Sequence, residues 1–176
     1  MVWPRMGGQG VFINGTVGVG KTSAAYALAA LPSNVPVAMI DLDEISRLRP
    51  APAGDPFNRA IMLTNLRSLA QNYREAGVKR FVMAGVIESE SETKEYQDAL
   101  GTCVLFVVRL TADAHTVQRR LKARHIDDPP GLSWHLERAG ELSGIQHDGK
   151  MVELQIETDM LNPREVACCI QEAVDW

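Results

Sequence analysis

The sequence predicts a three-layer α/β domain built on a mostly parallel sheet. Short apolar runs rich in β-branched residues alternate five times with segments of helical periodicity, the pattern of strands joined by crossover helices. The most hydrophobic run, TCVLFVVRL at residues 102–110, lacks the polar and apolar alternation of a half-exposed strand, which indicates burial on both faces. The chain of 176 residues is long enough for one such domain with a sizeable core.

Five runs are predicted to be strands because they are apolar, too short for helices and bounded by turn residues. They cover residues 11–13, 35–41, 79–86, 102–110 and 152–157. Pro36 limits the start of the second strand, since proline cannot donate a hydrogen bond to a neighbouring strand. No internal repeat or low-complexity tract interrupts the series.

Six helices are predicted from apolar residues at helical spacing. They lie at 23–31, from Pro56 to Gly77, at 91–100, after Thr111, around 134–142 and after Asn162. Capping residues mark four of the starts. These are Asp55 followed by Pro56, Ser89 with Glu92, Thr111, and Asn162 followed by Pro163 and paired with Glu165. Two segments are predicted to be irregular, RLRPAPAGDP at 47–56 and HIDDPPG at 125–131, because proline and glycine interrupt them.

The segment GTVGVGKT, residues 15–22, fits the phosphate-binding pattern GxxxxGK[ST]. It follows a strand and opens a helix, so glycine-rich backbone and the positive end of the helix would face an anion. A match at four fixed positions arises by chance in roughly 1% of chains of this length. The alternative is a glycine-rich turn that closes an ordinary strand–helix unit. The candidate nucleotide-binding residues are Gly15, Thr16, Val17, Gly18, Val19, Gly20, Lys21, Thr22 and Ser23.

A pair of carboxylates, Asp41 and Asp43, follows the second strand. The two side chains point the same way only if extended geometry continues through Leu42; the alternative is that they cap a helix near Ile45. The carboxyl ends of parallel strands share one edge of a sheet, where ligands bind. The phosphate-binding loop, the acidic pair, Glu88 and the loop after residue 157 are all expected at that edge.

Composition narrows the classes of function. The net charge is −4, and lysine and arginine are spread along the chain, which argues against a nucleic-acid-binding surface. The first ten residues lack the apolar core of a signal peptide, and no run is long enough to span a membrane. The cysteines lack metal-ligand spacing and are predicted to be small buried hydrophobic residues in a reducing, cytoplasmic protein. They are Cys103, Cys168 and Cys169.

In this order of motifs the chain resembles the small-molecule kinases of the P-loop superfamily, the group that includes shikimate, gluconate and adenylylsulfate kinases. The resemblance runs through GTVGVGKT, DLD after the second strand, VVRLTADAHTVQRRLKAR, a Pro/Gly-rich lid and IETDMLNPREV. It implies one domain over residues 1–176, a strand order 2-3-1-4-5, and ATP with Mg²⁺. It further implies an acceptor-binding segment at about 44–60, a lid at about 125–145, and an adenine site beside Asn162 and Pro163.

The same resemblance implies roles for individual residues. Lys21 would contact the β and γ phosphates, and Thr22 would bind Mg²⁺. Asp43 is expected to be the base that accepts the acceptor's proton and Asp41 to hold the metal, although the two roles could be exchanged. Arg120 and Arg124, one helical turn apart, would stabilise the transferred phosphoryl group. The alternative for these two arginines and for Arg138 is that they lie on a solvated helix face and make ordinary ion pairs. A second set of arginines either binds an anionic acceptor or lies in an exposed loop; these are Arg47, Arg49 and Arg59.

The sequence therefore predicts an ATP-dependent kinase that phosphorylates a hydroxyl of a metabolite or nucleoside-like small molecule. One alternative is a regulatory switch NTPase; it is disfavoured because the third strand ends without an acidic residue before Glu88. Another is an antibiotic-modifying phosphotransferase of the same fold, which these motifs do not separate from a metabolic kinase.

Overall fold

A computed structural model describes residues 9–101, 104–145 and 152–176. Its five strands are all parallel and lie in the order β2-β3-β1-β4-β5, which confirms the predicted 2-3-1-4-5 sheet. The strands are β1 (Gln9–Gly15), β2 (Val37–Asp41), β3 (Arg80–Ala84), β4 (Leu105–Thr111) and β5 (Leu154–Glu157). The helices are α1 (Lys21–Ala29), α2 (Leu42–Ile45), α3 (Arg59–Glu75), α4 (Glu90–Leu100), α5 (Ala114–Arg124), α6 (Pro129–Ile145) and α7 (Pro163–Val174).

The sheet separates two hydrophobic clusters, one on each face. Along β1, Val11 and Ile13 belong to the cluster that includes α1 and α7, whereas Phe12 belongs to the cluster under α3 and α4. Successive side chains of a strand point to opposite faces, so an uninterrupted apolar run supplies both clusters at once. All three residues are fully buried, so the central strand is covered on both sides.

Helix α3 begins later than predicted. The expected start was Pro56 with Asp55 as its cap, but the first helical residue is Arg59, and Asn58 precedes it in the left-handed region. The Asp55 carboxylate still accepts hydrogen bonds from the backbone N–H groups of Arg59 and Ala60, at 2.7 and 2.9 Å. Asp55 thus satisfies the free donors of the first turn from a position further upstream than an ordinary cap.

Two helix starts after β4 also differ from expectation. Thr111 ends β4, and the cap of α5 is Asp113, whose carboxylate accepts the N–H of Thr116 at 2.6 Å. Helix α6 starts at Pro129 rather than near residue 134, because proline is well suited to the first turn of a helix, where its missing N–H is not needed. The Asp128 carboxylate caps it by accepting the N–H of Gly131 at 3.0 Å.

The remaining predicted caps had different outcomes. At α7 the capping box of Asn162 and Glu165 is present in full, with Pro163 in the first turn. At α4, Ser89 occupies the cap position without a side-chain hydrogen bond to the helix, and Glu92 accepts the N–H of Glu88 instead of that of Ser89.

The cysteine prediction was wrong in part. Cys169 is exposed and Cys168 is only partly buried, because the buried stripe of α7 runs through Val166, Ala167, Ile170 and Val174. Cys103 lies outside the described residues. Among the helices of the described ranges, none is long and apolar enough to cross a bilayer.

Candidate functional site

The loop between β1 and α1 depends on glycines. A Cβ added to Gly15 would lie 2.5 Å from the carbonyl oxygen of Leu110 on β4, so only glycine fits at this crossing. Gly18 and Gly20 have φ values of 84° and 98°, a region that side chains with a Cβ rarely adopt. At Gly20 an added Cβ would meet no atom within 4 Å, so open space lies beside this residue at the start of α1.

This loop leaves donors available for an anion. Within the described part of the chain, the backbone N–H groups of residues 17–20 donate no hydrogen bond to the protein. The loop also stands at the N-terminus of α1, where the helix dipole is positive. These features suit the binding of an anion, which is what the sequence pattern predicts for this loop.

Lys21 is partly buried at the end of the loop, and its ammonium donates a hydrogen bond to the carbonyl oxygen of Thr16 at 3.0 Å. Burial lowers the pKa of Lys21 to about 8, an effect that the negative charges of Asp43 and Asp41 oppose and that Arg124 reinforces. Near neutral pH the group is therefore still mostly charged, and a bound phosphate would stabilise that charge.

Of the two alternatives that the sequence left open for the acidic pair, the structure shows helix capping. The chain turns into α2 at Leu42, so the extended geometry that would align the two carboxylates does not continue. Asp41 caps α2, its Oδ1 accepting the N–H of Asp43 at 3.0 Å, while its Oδ2 accepts a hydrogen bond from the hydroxyl of Thr22 at 3.0 Å. Capping thus fixes the Asp41 carboxylate against the hydroxyl that follows Lys21.

Asp43 lies in the first turn of α2 and lines the cleft. Although solvent reaches it, the surrounding protein partly desolvates its carboxylate and raises its pKa, an effect that the charge of Lys21 opposes. Among the described residues, no group donates a hydrogen bond to this carboxylate. It is therefore an accessible acceptor whose basicity is higher than that of an ordinary surface aspartate.

The two candidate arginines of α5 differ in their surroundings. The Arg120 guanidinium donates three hydrogen bonds. The acceptors are the hydroxyl of Thr158 at 2.9 Å, the carbonyl oxygen of Thr158 at 2.7 Å and the carbonyl oxygen of Val19 at 3.4 Å. Arg120 therefore joins the phosphate-binding loop to the segment after β5. Arg124 is exposed on the cleft wall and, within the described ranges, makes no ion pair.

One continuous cleft of about 1620 Å³ runs from the phosphate-binding loop past Asp43 to the segment before α3. This volume exceeds the roughly 300–1,000 Å³ of a site for one small ligand, which gives room for a nucleotide and an acceptor side by side. Pro163 lines the cleft, whereas the Asn162 side chain is engaged in capping α7 through the N–H groups of Arg164 and Glu165.

Arg138 and Arg59 lie at the other end of the cleft and are both paired. Arg138 bonds Glu88 across the cleft, and also contacts Glu141 at 3.0 Å. Arg59 contacts Glu92 at 3.3 Å and Glu95 at 2.9 Å. Arg59 is therefore a helical residue paired with α4 rather than part of an exposed loop, whereas Arg138 makes one pair within its own helix and one with Glu88, in the segment before α4.

Two residues important for the site were not indicated by the sequence. Asn14, at the end of β1, is buried; its amide donates to the Ile87 carbonyl at 3.2 Å and accepts the Ile87 N–H at 3.1 Å. Thr158 is buried as well, and its hydroxyl donates to the carbonyl of Val19 at 3.0 Å. Asn14 thus joins the end of β1 to the segment after β3, and Thr158 joins the loop to the segment after β5. The only available signal was a polar residue at the end of an apolar strand.

The oxygens of Thr22 and Asp41 suit Mg²⁺, a hard cation that prefers oxygen ligands. Among the described residues there is no cluster of three or more histidine, cysteine or acidic side chains that could hold a metal on their own. Magnesium at phosphate sites commonly uses one or two protein oxygens and completes its shell with substrate phosphates and water. The two residues present fit that arrangement.

The lowered pKa of Lys21 leads to a prediction for calorimetry. At pH 8 the free protein should hold about half a proton on Lys21, and a bound triphosphate should raise its pKa and drive uptake of ~0.5 proton. The heat of Mg·ATP binding at pH 8 should therefore depend on the ionisation enthalpy of the buffer. The variant Lys21→Arg keeps the charge but does not titrate in this range, so it should lose the dependence; equal uptake in both proteins would contradict the prediction.

Comparison with known proteins shows the fold. No protein-family model and no curated protein matches the sequence. Among solved structures, the tunicamycin resistance protein of Deinococcus radiodurans is 24% identical with a TM-score of 0.63, over 95% of each chain. The APS kinase of Mycobacterium tuberculosis, solved with AMPPNP and APS, is 21% identical with a TM-score of 0.60, over 99% of this chain and 100% of its own. The shikimate kinase of Bacteroides thetaiotaomicron is 16% identical with a TM-score of 0.61, over 96% and 99%. The chain has the α/β fold of the P-loop small-molecule kinases, as its resemblance to them predicted.

Proposed function

We propose that the protein is an ATP-dependent kinase that transfers the γ-phosphate to a hydroxyl group of a small molecule. The observation that carries the proposal is the placement of Lys21 and Asp43 on one cleft, close enough for each charge to shift the pKa of the other. One group is a cation at the end of a phosphate cradle and the other is an accessible base. Alcohol phosphorylation requires both.

The nucleotide half of the cleft would bind and align the triphosphate. The N–H groups of residues 17–20 would donate hydrogen bonds to phosphate oxygens, and Lys21 would add its charge at the β and γ phosphates. Thr22 and Asp41 would hold Mg²⁺, which supplies further neutralisation of phosphate charge when bound. Arg124 is free to contact the transferred group, while Arg120 keeps the cradle attached to the segment after β5.

Asp43 would orient the acceptor hydroxyl and take its proton. The O–H bond of the alcohol breaks as its oxygen forms a bond to the γ-phosphorus, the proton moves to the Asp43 carboxylate, and the bond to the β–γ bridging oxygen breaks to release ADP. Residues 44–60 would contact the acceptor, and residues 125–145 would close over the site and exclude water. The proposed partner is thus a small molecule rather than a nucleic acid, and the ATP requirement favours a cytoplasmic protein.

The structural neighbours keep one alternative acceptor open. The tunicamycin resistance protein of Deinococcus radiodurans shares this fold, which supports an antibiotic as a second candidate acceptor for the same phosphoryl transfer. The regulatory switch is less well supported, because the cleft continues well beyond the phosphate cradle into space that a simple NTPase would not use.

The test is an ADP-release assay with Mg·ATP and a panel of sugars, hydroxy acids, nucleosides and antibiotics. We expect release that depends on one class of acceptor, together with Mg·ATP binding measured by calorimetry. Nucleotide binding with slow release that no acceptor stimulates would favour the switch, and the absence of nucleotide binding would refute both readings.

A further inference from the structure

The acceptor half of the cleft has a charge arrangement that restricts the acceptor. The acceptor half is the part of the cleft lined by Leu48, Arg49, Phe57, Arg59, Met62, Glu88, Glu92, Tyr96, Trp134 and Arg138. Arginines at such a place would ordinarily attract a carboxylate or a phosphate. Whether they do depends on what already neutralises them.

Arg59 is already engaged by two carboxylates. Its guanidinium contacts Glu92 at 3.3 Å and Glu95 at 2.9 Å, and lies 5.4 Å from the centre of the Tyr96 ring. Burial tends to lower the pKa of this arginine, but these partners outweigh it and raise the pKa instead. An anion that approached Arg59 would have to displace a carboxylate and would meet the negative charge of both.

Arg138 is engaged in the same way from the lid side. It bonds Glu88 and Glu141, its side chain is only 16% exposed, and its guanidinium lies 5.0 Å from the centre of the Phe57 ring. The faces and edges of the guanidinium that could receive a ligand anion are therefore occupied by protein groups.

Few of the other charged side chains near the acceptor half remain unpaired and able to bind an anion or a cation. Arg47 pairs with Glu44 at 2.6 Å, and the Asp55 carboxylate is used by the N–H groups at the start of α3. Arg49, which has no ion pair within the described ranges, is exposed at the rim, where water screens its charge. Within the described part of the cleft lining, the Asp43 carboxylate makes no ion pair and accepts no hydrogen bond, and the proposed reaction requires it as a base.

Large apolar side chains occupy the space between these ion pairs. Phe57 is 58% exposed, Trp134 52% and Leu48 43%, and all three line the cleft. Exposed apolar groups that converge on a cavity are typical of a site that takes up the apolar part of a ligand. Apart from the exposed Arg49, the walls of the acceptor half thus offer apolar contact and paired charges, and the proposed base, Asp43, lies at the reaction centre.

We propose that the acceptor is an uncharged alcohol with an apolar or aromatic portion, and not a carboxylate- or phosphate-bearing metabolite. This inference rests on the proposed kinase function and adds the class of acceptor to it. The hydroxyl lies at Asp43, and the apolar portion lies against Phe57, Trp134 and Leu48. The pairing of Arg59 and Arg138 with glutamates excludes the anionic class, because each arginine already carries two negative partners.

The first test compares matched pairs of alcohols in the presence of saturating Mg·AMPPNP. The pairs are 4-nitrophenyl glucoside with 4-nitrophenyl glucuronide, methyl shikimate with shikimate, and uridine with uridine 5′-monophosphate, and glucose serves as the neutral probe without an apolar portion. Binding is measured by ligand-observed NMR. We expect binding by the neutral member of at least one pair, at least about tenfold tighter than its anionic counterpart and than glucose.

Tighter binding by the anionic members would overturn the inference, and so would failure of every neutral member to bind. Calorimetry of Mg·ATP separates this result from a failure of the proposed function. Intact nucleotide binding with an anionic acceptor refutes the acceptor class alone, whereas loss of nucleotide binding refutes the kinase proposal itself.

The second test removes the charges that occupy Arg59. In the double variant Glu92→Gln with Glu95→Gln, the amides keep an acceptor oxygen but no longer neutralise the guanidinium. We expect the anionic probes to gain about tenfold or more in affinity while the neutral probes change little. Asp98→Asn is the matched control, because it frees Lys94 in an exposed pair on the same helix, outside the cleft lining, and should alter neither class. Unchanged affinity for the anionic probes in the folded double variant, checked by circular dichroism, would contradict the inference.

Discussion

Replacement of Lys21 with alanine is expected to abolish phosphoryl transfer and leave the fold intact. The ammonium stands at the end of a loop in which, among the described residues, the N–H groups of residues 17–20 donate no hydrogen bond to the protein. Its loss would remove a cation from the place where charge develops on the transferred group. Loss of such a group typically costs ~10³-fold or more in turnover. The measurement is acceptor-dependent ADP release under single-turnover conditions.

Stability distinguishes this result from simple unfolding. Burial lowers the pKa of Lys21, which means that the protein without a bound anion destabilises its charged form. Removing the group should therefore leave the midpoint of thermal unfolding unchanged or slightly higher. Lys122→Ala is the control, because that lysine is exposed on α5 and should alter neither turnover nor stability. Unchanged turnover in Lys21→Ala would refute the assignment of the phosphate-binding loop.

The structural features that depend on residues close together in the sequence could be predicted. The parallel sheet follows from the alternation of apolar strands and helices, and the capping box at Asn162 follows from side chains three residues apart. The start of α6 was missed for a local reason. Two consecutive prolines were interpreted as a break, although they occupy the first turn of the helix, where proline is tolerated.

The interior of the acceptor half could not be predicted, because its ion pairs join residues distant in sequence. Glu88 and Arg138 are 50 residues apart, and Arg59 and Glu95 are 36 apart. No periodicity connects such positions. The sequence therefore indicated that arginines would be near the acceptor, but not that glutamates would neutralise them, and it is this neutralisation that changes the expected acceptor class.

Replacement of Asp43 with asparagine is expected to lower the transfer rate by ~10² or more while sparing the affinity for Mg·ATP. The amide has nearly the shape of the carboxylate but cannot take the proton of the acceptor hydroxyl. Calorimetry with Mg·ATP and single-turnover measurement of transfer give the two quantities. Normal transfer in this variant would refute the assignment of the base.

Asp41→Asn is the matched comparison, because the two candidate roles could be exchanged. The Asp41 carboxylate is held by the Thr22 hydroxyl and by the N–H of Asp43, which favours metal binding over proton transfer. We expect this variant to raise the concentration of Mg²⁺ needed for half-maximal rate. A large loss of rate at saturating Mg²⁺ in Asp41→Asn, with Asp43→Asn nearly normal, would show that the roles are reversed.

The pH dependence of the rate tests whether Asp43 acts as a base or only positions the acceptor. Desolvation raises its pKa, so the ionised form that accepts a proton should be lost as pH falls through that raised value, at a higher pH than for a solvent-exposed aspartate. The wild-type rate should decline on the acid side with this group, and the residual rate of Asp43→Asn should not. If both proteins show the same acid limb, the titrating group is another one, and the carboxylate contributes geometry rather than proton transfer.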